Sequence, residues 1–258
     1  MGAPIDGKTG VAKVRLYVSA DLFDGAKIQL AAGQSHYLRN VMRRRIGDRV
    51  LLFNGRDGEW RAQISDLNKS ACVVATQEQT RVQLSPADIW LLFAPVKKAR
   101  IDFIAQKATE MGVRTIWPVI TNRTSVARVN LDRLKANAIE AAEQCDAVDV
   151  PEIRPPESLD HVLKTWDPDR RIMYCDEARS APAVSEVLPT VGGGPWAVLI
   201  GPEGGFSADE RQMLTETSFA HPVSLGPRIL RADTAVVSAL TIWHAQLGDW
   251  KTPGRGFD

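Results

Sequence analysis

The sequence predicts an α/β domain with a mostly parallel sheet, preceded by a small β-barrel. Two rhythms along the 258 residues carry that expectation. Up to about residue 80, short β-branched or alternating runs are separated by turn residues, as in small all-β units. From about Asp88 onward, apolar strand runs alternate with stretches of helical period, the pattern of a sheet covered by helices. The polar, Pro-containing "QTRVQLSPAD" lies between the two. With 44% hydrophobic and 24% charged residues, the chain can bury a core in each part.

In the first part "VRLYV", "RVLLF", "EWRAQISDL" and "SACVVATQE" read as strands, and "NGRDG" carries the turn signals of a hairpin. Between the first two strands, the basic stretch from His36 to Arg49 reads as a short helix running into a turn at Gly47. In the second part "IWLLFA" precedes a helix with Ile101, Ile104, Ala108 and Met111 on one face and Gly112 at its end. "TIWPVI" follows, with Pro118 an awkward guest in a ladder of hydrogen bonds. Asn130 can cap a helix carrying Leu131, Leu134, Ala138, Ala141 and Cys145. "RIMYC", "WAVLI" and "HPVSL" supply further strands, and Val236, Leu240, Trp243 and Leu247 mark a last helix. Trp90, Trp117, Trp196 and Trp243 fall at strand and helix positions and are expected in the core.

Two loops concentrate the chemistry. In "LIGPEGGFSADE" a strand ends at Gly201, and Ser207 with Glu210 forms an S-x-x-E capping box that starts a helix. Gly204 and Gly205 permit positive φ and leave the backbone bare, which suits either a ligand or a sharp strand-to-helix turn. Ligands in open α/β sheets sit at the carboxyl ends of strands, so residues 201–205 are a pocket candidate. In "SLGPRILRADTAVVSAL" Gly226 and Pro227 end another strand, and Asp233 or Thr234 begins a long helix. Arg228 and Arg231 then lie near a helix amino end, where the dipole disfavours cations, so local stability does not explain them. Pairing with Glu203 or Asp233 would be the bland account.

The net charge is only +1, yet the window His36–Arg49 holds Arg39, Arg43, Arg44, Arg45 and Arg49 against Asp48 alone. Charge this concentrated can hold phosphates. Cys72, Cys145 and Cys175 are far apart with no C-x-x-C pair, which points away from a zinc site and a disulfide framework. No apolar run approaches the roughly 18 residues of a membrane span. The start, "MGAPIDGKTG", lacks an apolar export segment, and a cytoplasmic protein without metal or membrane partner is expected. "KTPGRGFD" reads as a loose tail.

Taken together, "LIGPEGGFSADE" and "VSLGPRILRADTA" resemble the small-subunit ribosomal RNA uridine-N3 methyltransferases of the SPOUT superfamily. The likeness extends to "HYLRNVMRRRIGD", "KKARIDFIAQKATEMGV", "TNRTSV" and "AAEQC". It implies a trefoil-knotted sheet with an N-terminal PUA-like barrel, divided as residues 1–82, 83–250 and a tail at 251–258. It also implies S-adenosylmethionine held by Leu199, Ile200, Gly201, Glu203 and Gly204 from one loop and Leu225, Gly226, Ile229, Leu230 and Arg231 from the other. The partner would be 16S RNA in the small subunit, and the enzyme a homodimer; a transfer RNA methyltransferase or a non-catalytic RNA binder are the alternatives. Arg123 or Arg231 is expected to stabilise the anion that forms when uracil N3 loses its proton, with Glu203 as an orienting group. Arg39, Arg43, Arg44, Arg45 and Arg49 would hold the RNA backbone. Two departures from the family pattern stand out: Asp233 replaces a glutamate, and Cys145-Asp146-Ala147 replaces Ser-Gly-Arg.

Overall fold

The computed structural model describes residues 14–68, 71–126, 128–176 and 181–251. Of the expected tail, residues 252–258 lie outside the described residues. The chain forms two compact units: one takes the residues up to Ser85 together with Ala142–Val150, the other Pro86–Ala141 and the residues from Pro151.

The first unit is a five-stranded sheet. Its strands are β1 (Arg15–Tyr17), β2 (Lys27–Gln29), β3 (Arg49–Phe53), β4 (Glu59–Leu67) and β5 (Cys72–Arg81), ordered β1-β3-β4-β5-β2. β1 runs parallel to β3 and the other pairs are antiparallel. Three register shifts along the β4–β5 pairing bend the sheet around Leu16, Leu38, Leu52, Ile64 and Val74. β2 has too few alternating residues to be legible in the sequence. The β3–β4 hairpin is closed by Asn54, whose Oδ1 accepts from the backbone of Arg56 and Asp57. The basic stretch is only partly helical: α1 (Ala32–His36) passes into a π-helical turn, Tyr37–Val41, and stops before Arg43. Arg43 adopts φ 51°, which a helix cannot continue, and Arg44 N–H turns back to the Leu38 carbonyl.

Residues 142–150 belong to this unit because two arginines hold them. Arg15, almost wholly buried, donates to the carbonyls of Ala142, at 2.8 Å, and Ala147, at 2.6 Å. Arg81 donates to the Asp146 carbonyl at 2.7 Å. The buried Glu59 carboxylate takes Arg15 Nε at 2.7 Å and Arg81 Nε at 3.0 Å.

The second unit is a parallel sheet ordered β12-β10-β11-β6-β7-β8, with the short β9 added to β7. In chain order it comprises β6 (Ile89–Phe93), α2 (Lys98–Glu110), β7 (Thr115–Ile120), α3 (Leu131–Gln144), β8 (Glu152–Ile153), β9 (Glu157–Ser158), α4 (Leu159–Lys164), β10 (Arg171–Cys175), α5 (Val184–Val191), β11 (Trp196–Ile200), α6 (Ala208–Glu216), β12 (Ala220–Val223) and α7 (Ala232–Gln246). The last residues of α3, from Ala142, are those counted with the first unit. Pro118 is accommodated by a break in pairing. On its outer side β7 bonds β8 through Thr115 and Ile116, then β9 through Val119 and Ile120. The missing donor of Pro118 falls in the gap.

Alternation along β11 separates two cores: Trp196, Val198 and Ile200 face Leu240 and Trp243 of α7, while Ala197 and Leu199 face Tyr174 and Phe206. Gly112, at φ 72°, ends α2, and Asn130 Oδ1 accepts from Arg133 N–H at the start of α3, both as expected. Trp117, Trp196 and Trp243 are core residues and Trp90 is partly buried against the core; Trp90 and Trp117 pack with Trp166, and the Arg154 guanidinium lies over both.

The buried charge network makes two predictions. Glu59→Ala leaves two guanidiniums around an empty site and should cost about 3–5 kcal/mol in urea denaturation. Burial alone would raise the Glu59 carboxyl, but the hydrogen bond from Arg81 and the charges of Arg15 and Arg81 outweigh it and hold it at about 2. A lowered folded-state pKa stabilises above the unfolded value near 4.5 and loses that stability as pH falls toward 2. Glu59→Gln should therefore flatten the stability slope across that window.

Candidate functional site

The two glycine-containing loops emerge at the same level because their strands flank β10. Cys175, the last residue of β10, lies opposite Ile200 of β11 on one side and Val223 of β12 on the other. Residues 201–206 and 224–231 therefore leave the sheet side by side. Between them is a cavity of about 1050 Å³, lined also by Arg100 of α2, by Cys175 and Asp176, by Ala181 and Ala183, and by Ala232 and Ala235 of α7.

The first loop is held from three directions. Ser207 and Glu210 form the expected reciprocal cap of α6. Glu210 Oε1 also accepts from Asn122 N–H at 2.7 Å, and Asn122 Nδ2 donates to Ser207 Oγ at 3.0 Å. Arg123 Nη1 donates to the Gly204 carbonyl at 2.7 Å. From the opposite side Arg100 pairs with Glu203. Gly205, at φ 65°, closes the turn by donating to the Pro202 carbonyl. The bare backbone expected to face a ligand at Gly201 is also met by the chain's own Phe206: a Cβ there would stand 3.1 Å from its ring.

The second loop is more open. Gly226 takes φ 114° with no atom within 4 Å of a would-be Cβ, and Ile229 is 83% exposed. α7 begins at Ala232, one residue earlier than expected, and Arg231 occupies its N-cap without a side-chain hydrogen bond. Asp233, the family's glutamate position, lies in the first turn, where an acidic group suits the dipole. Among the described residues neither Arg228 nor Arg231 makes the ion pair with Glu203 or Asp233 that would have been the bland account, and Glu203 is engaged by Arg100.

Ile200, Gly201, Glu203, Leu225, Gly226, Ile229, Leu230 and Arg231 are thus brought together around one cavity. Leu199 is fully buried on the other sheet face, and Gly204 bears on Arg123 rather than on the cavity lining. Arg123 itself is outside the lining, with its guanidinium on Gly204. Arg100, Asp176 and Phe206 are assigned no role by the sequence, although Arg100 and Phe206 lie inside stretches that carry the family likeness. A helix face, a strand end and a buried ring form no motif, although the capping box did mark the loop they serve. Burial pushes the Cys175 thiol up to about 12, which rules it out as a nucleophile near neutral pH. Among the described residues no cluster of His, Cys, Asp and Glu could hold a metal ion, and no helix is long and apolar enough to cross a membrane.

In the first unit, Arg43, Arg45 and Arg49 are exposed and Arg39 and Arg44 partly so. Asp48 is turned onto the Arg45 backbone N–H at 2.8 Å.

Residues 83–244 match the family described as RNA methyltransferase domain. The chain belongs to that RNA methyltransferase family. Residues 30–76 match the RNA methyltransferase PUA domain, the module that holds the arginine cluster. The chain is 31% identical over 228 residues to ribosomal RNA small subunit methyltransferase E of Rickettsia conorii, covering 88% of this RNA methyltransferase and 93% of its relative. The Synechocystis protein of the same name is 30% identical over 96% of this chain and 83% of its own length. Among solved structures, ribosomal RNA small subunit methyltransferase E from Neisseria gonorrhoeae, bound to S-adenosyl methionine, superposes with a TM-score of 0.83 at 28% identity, covering 92% of this chain and 99% of that one.

The bracing of the first loop is open to a direct test. Ser207→Ala removes one partner of the capping box and the acceptor of Asn122, and should cost about 1 kcal/mol. For a protein of this size that corresponds to a fall of about 2–4 °C in melting temperature, read by calorimetry.

Proposed function

We propose that the chain transfers the methyl group of S-adenosylmethionine to N3 of a uridine in 16S RNA of the small ribosomal subunit, acting in the cytoplasm as a homodimer. The cavity between two neighbouring loops carries this reading, because its walls suit that cofactor. Ile200, Phe206, Leu225 and Leu230 offer apolar surface for a purine ring, and Gly205 and Gly226 put no side chain of their own in the way of a ligand's approach to the main chain. We assign the cofactor to Ile200, Gly201, Glu203 and Gly204 on one side and to Leu225, Gly226, Ile229, Leu230 and Arg231 on the other, with Leu199 supporting the first loop from the opposite sheet face. A trefoil knot through the two loops belongs to the same proposal.

When bound, the cofactor supplies a methyl group on a positively charged sulfur that departs as a neutral thioether. What remains for the chain is alignment, worth up to about 7–11 kcal/mol in favourable cases, and relief of the charge at uracil N3 as its proton leaves. Arg231 fits the second role: it lines the cavity and has no carboxylate partner among the described residues. Arg123 contributes through Gly204, holding the first loop in shape. Glu203, paired with Arg100, orients the ligand. Arg39, Arg43, Arg44, Arg45 and Arg49 hold RNA phosphates from the PUA-like unit. The exposed Ile229 beside the cavity supports a surface that a second copy covers.

The decisive experiment is transfer of radiolabelled methyl to unmodified small subunits, followed by nucleoside analysis. N3-methyluridine in 16S RNA is expected; label in transfer RNA, or at another atom, overturns the assignment. Glu203→Gln should weaken cofactor binding while retaining turnover at saturation, and abolished turnover with unchanged affinity would make Glu203 the base. Replacing Arg43, Arg44 and Arg45 together with glutamine should flatten the dependence of log K on log salt by about 2, at about 0.7 for each phosphate no longer neutralised.

A further inference from the structure

Among the described residues, the charges lining the cavity do not balance. Arg100, Arg228 and Arg231 face Asp176 and Glu203. Glu203 is engaged by Arg100, and Asp176 by Arg211, which approaches at 3.0 Å from outside the lining. Arg228 and Arg231 remain without a carboxylate among the described residues, at the amino end of the 15-residue α7, whose dipole adds to the positive potential. S-adenosylmethionine increases the imbalance, for it carries a sulfonium and an ammonium against one carboxylate. Two guanidiniums uncompensated among the described residues and a net cation would share a cavity of about 1050 Å³, just above the roughly 300–1,000 Å³ of a small-ligand site. There is both room and electrostatic demand for an anion.

We propose that Arg228 grips a phosphate of the RNA backbone beside the target nucleotide, so that the RNA enters the cavity across residues 226–231. The inference rests on the reading of the chain as an RNA methyltransferase and names the group that seats its substrate. Arg231 is left free for the base, and Arg228, three residues earlier on the open side of the loop, meets the backbone. Cofactor and RNA then bind with positive coupling. The phosphate relieves the repulsion between the cationic cofactor and the arginines, and by linkage the cofactor favours the phosphate equally.

The sign of one measurement separates this assignment from its rival, in which Arg228 holds the cofactor's carboxylate. For Arg228→Gln, S-adenosylmethionine affinity without RNA is expected to stay the same or tighten, because a repelling charge has gone. Affinity for unmodified small-subunit RNA should fall about tenfold, the loss of one charge-assisted hydrogen bond. The slope of log K against log salt should flatten by about 0.7. The tightening of cofactor by RNA expected in the unaltered chain should shrink, and Arg228→Lys should retain the slope. Weaker cofactor binding in the absence of RNA would overturn the proposal in favour of a carboxylate contact. Unchanged RNA affinity and slope would overturn it outright. If the unaltered chain binds both molecules but transfers no methyl, the catalytic reading fails, while the salt slope still reports on Arg228.

Discussion

The site depends on one act of strand pairing: β10 lies between β11 and β12, parallel to both, with Cys175 level with Ile200 and Val223. Parallel neighbours end on the same side of a sheet, so the loops that follow must emerge together. Twenty-three residues separate Ile200 from Val223 in the sequence, yet each is one strand away from the same cysteine. The shared cavity follows from that register. A slip of one residue in either pairing would turn Ile200 or Val223 to the opposite core and displace its loop by a strand step.

Given that placement, the two loops are built differently, and the difference suits their work. The 201–206 loop is braced by Phe206 below Gly201, Arg123 on Gly204, Arg100 on Glu203 and the reciprocal cap at Ser207. Fixed dipoles need no rearrangement when a ligand arrives, which is the energetic advantage of a rigid cradle. The 224–231 loop is tied down at its start, where the Ser224 main chain bonds Pro182 and Val184 and its Oγ accepts from Gly226 N–H; beyond that Leu225 and Leu230 are partly buried and the arginines and Ile229 are exposed. One loop supplies shape and the other supplies charge.

The sequence disclosed the elements better than the contacts. Strands such as "RVLLF" and "WAVLI" coincide with β3 and β11 to the residue, and Gly112, Asn130 and Ser207 do the terminating and capping work their chemistry suggests. Those signals are local, so a linear reading can find them. Three-residue β2 has no period to detect, and the helix expected through Arg43–Arg45 stops early because a left-handed Arg43 reflects the fold of the loop rather than helix propensity. Most of the residues named from motifs do meet at the cavity, but Leu199, Gly204 and Arg123 do not line it, and Arg100 and Asp176 had no role assigned, since their places depend on which elements pack together. The glycines show the limit most clearly. Gly201 both lines the cavity and lies against the phenyl ring of Phe206, five residues later, and the second contact could not be read from the sequence.

The departure at Cys145-Asp146-Ala147 also becomes intelligible through packing. Asp146 adopts φ 64°, a conformation that costs glycine nothing and that aspartate tolerates better than most side chains. Its carbonyl accepts from Arg81, and its carboxylate stands 3.3 Å from Arg15 Nε. Arg15 and Arg81 against Glu59 alone would leave this buried cluster with an excess positive charge; Asp146 restores the balance. At Ala147 the main-chain carbonyl accepts from Arg15, and nothing in the structure explains the missing arginine side chain. The anion that this tripeptide adds is thus, in three dimensions, the fourth charge of a network that binds residues 142–150 to the first unit.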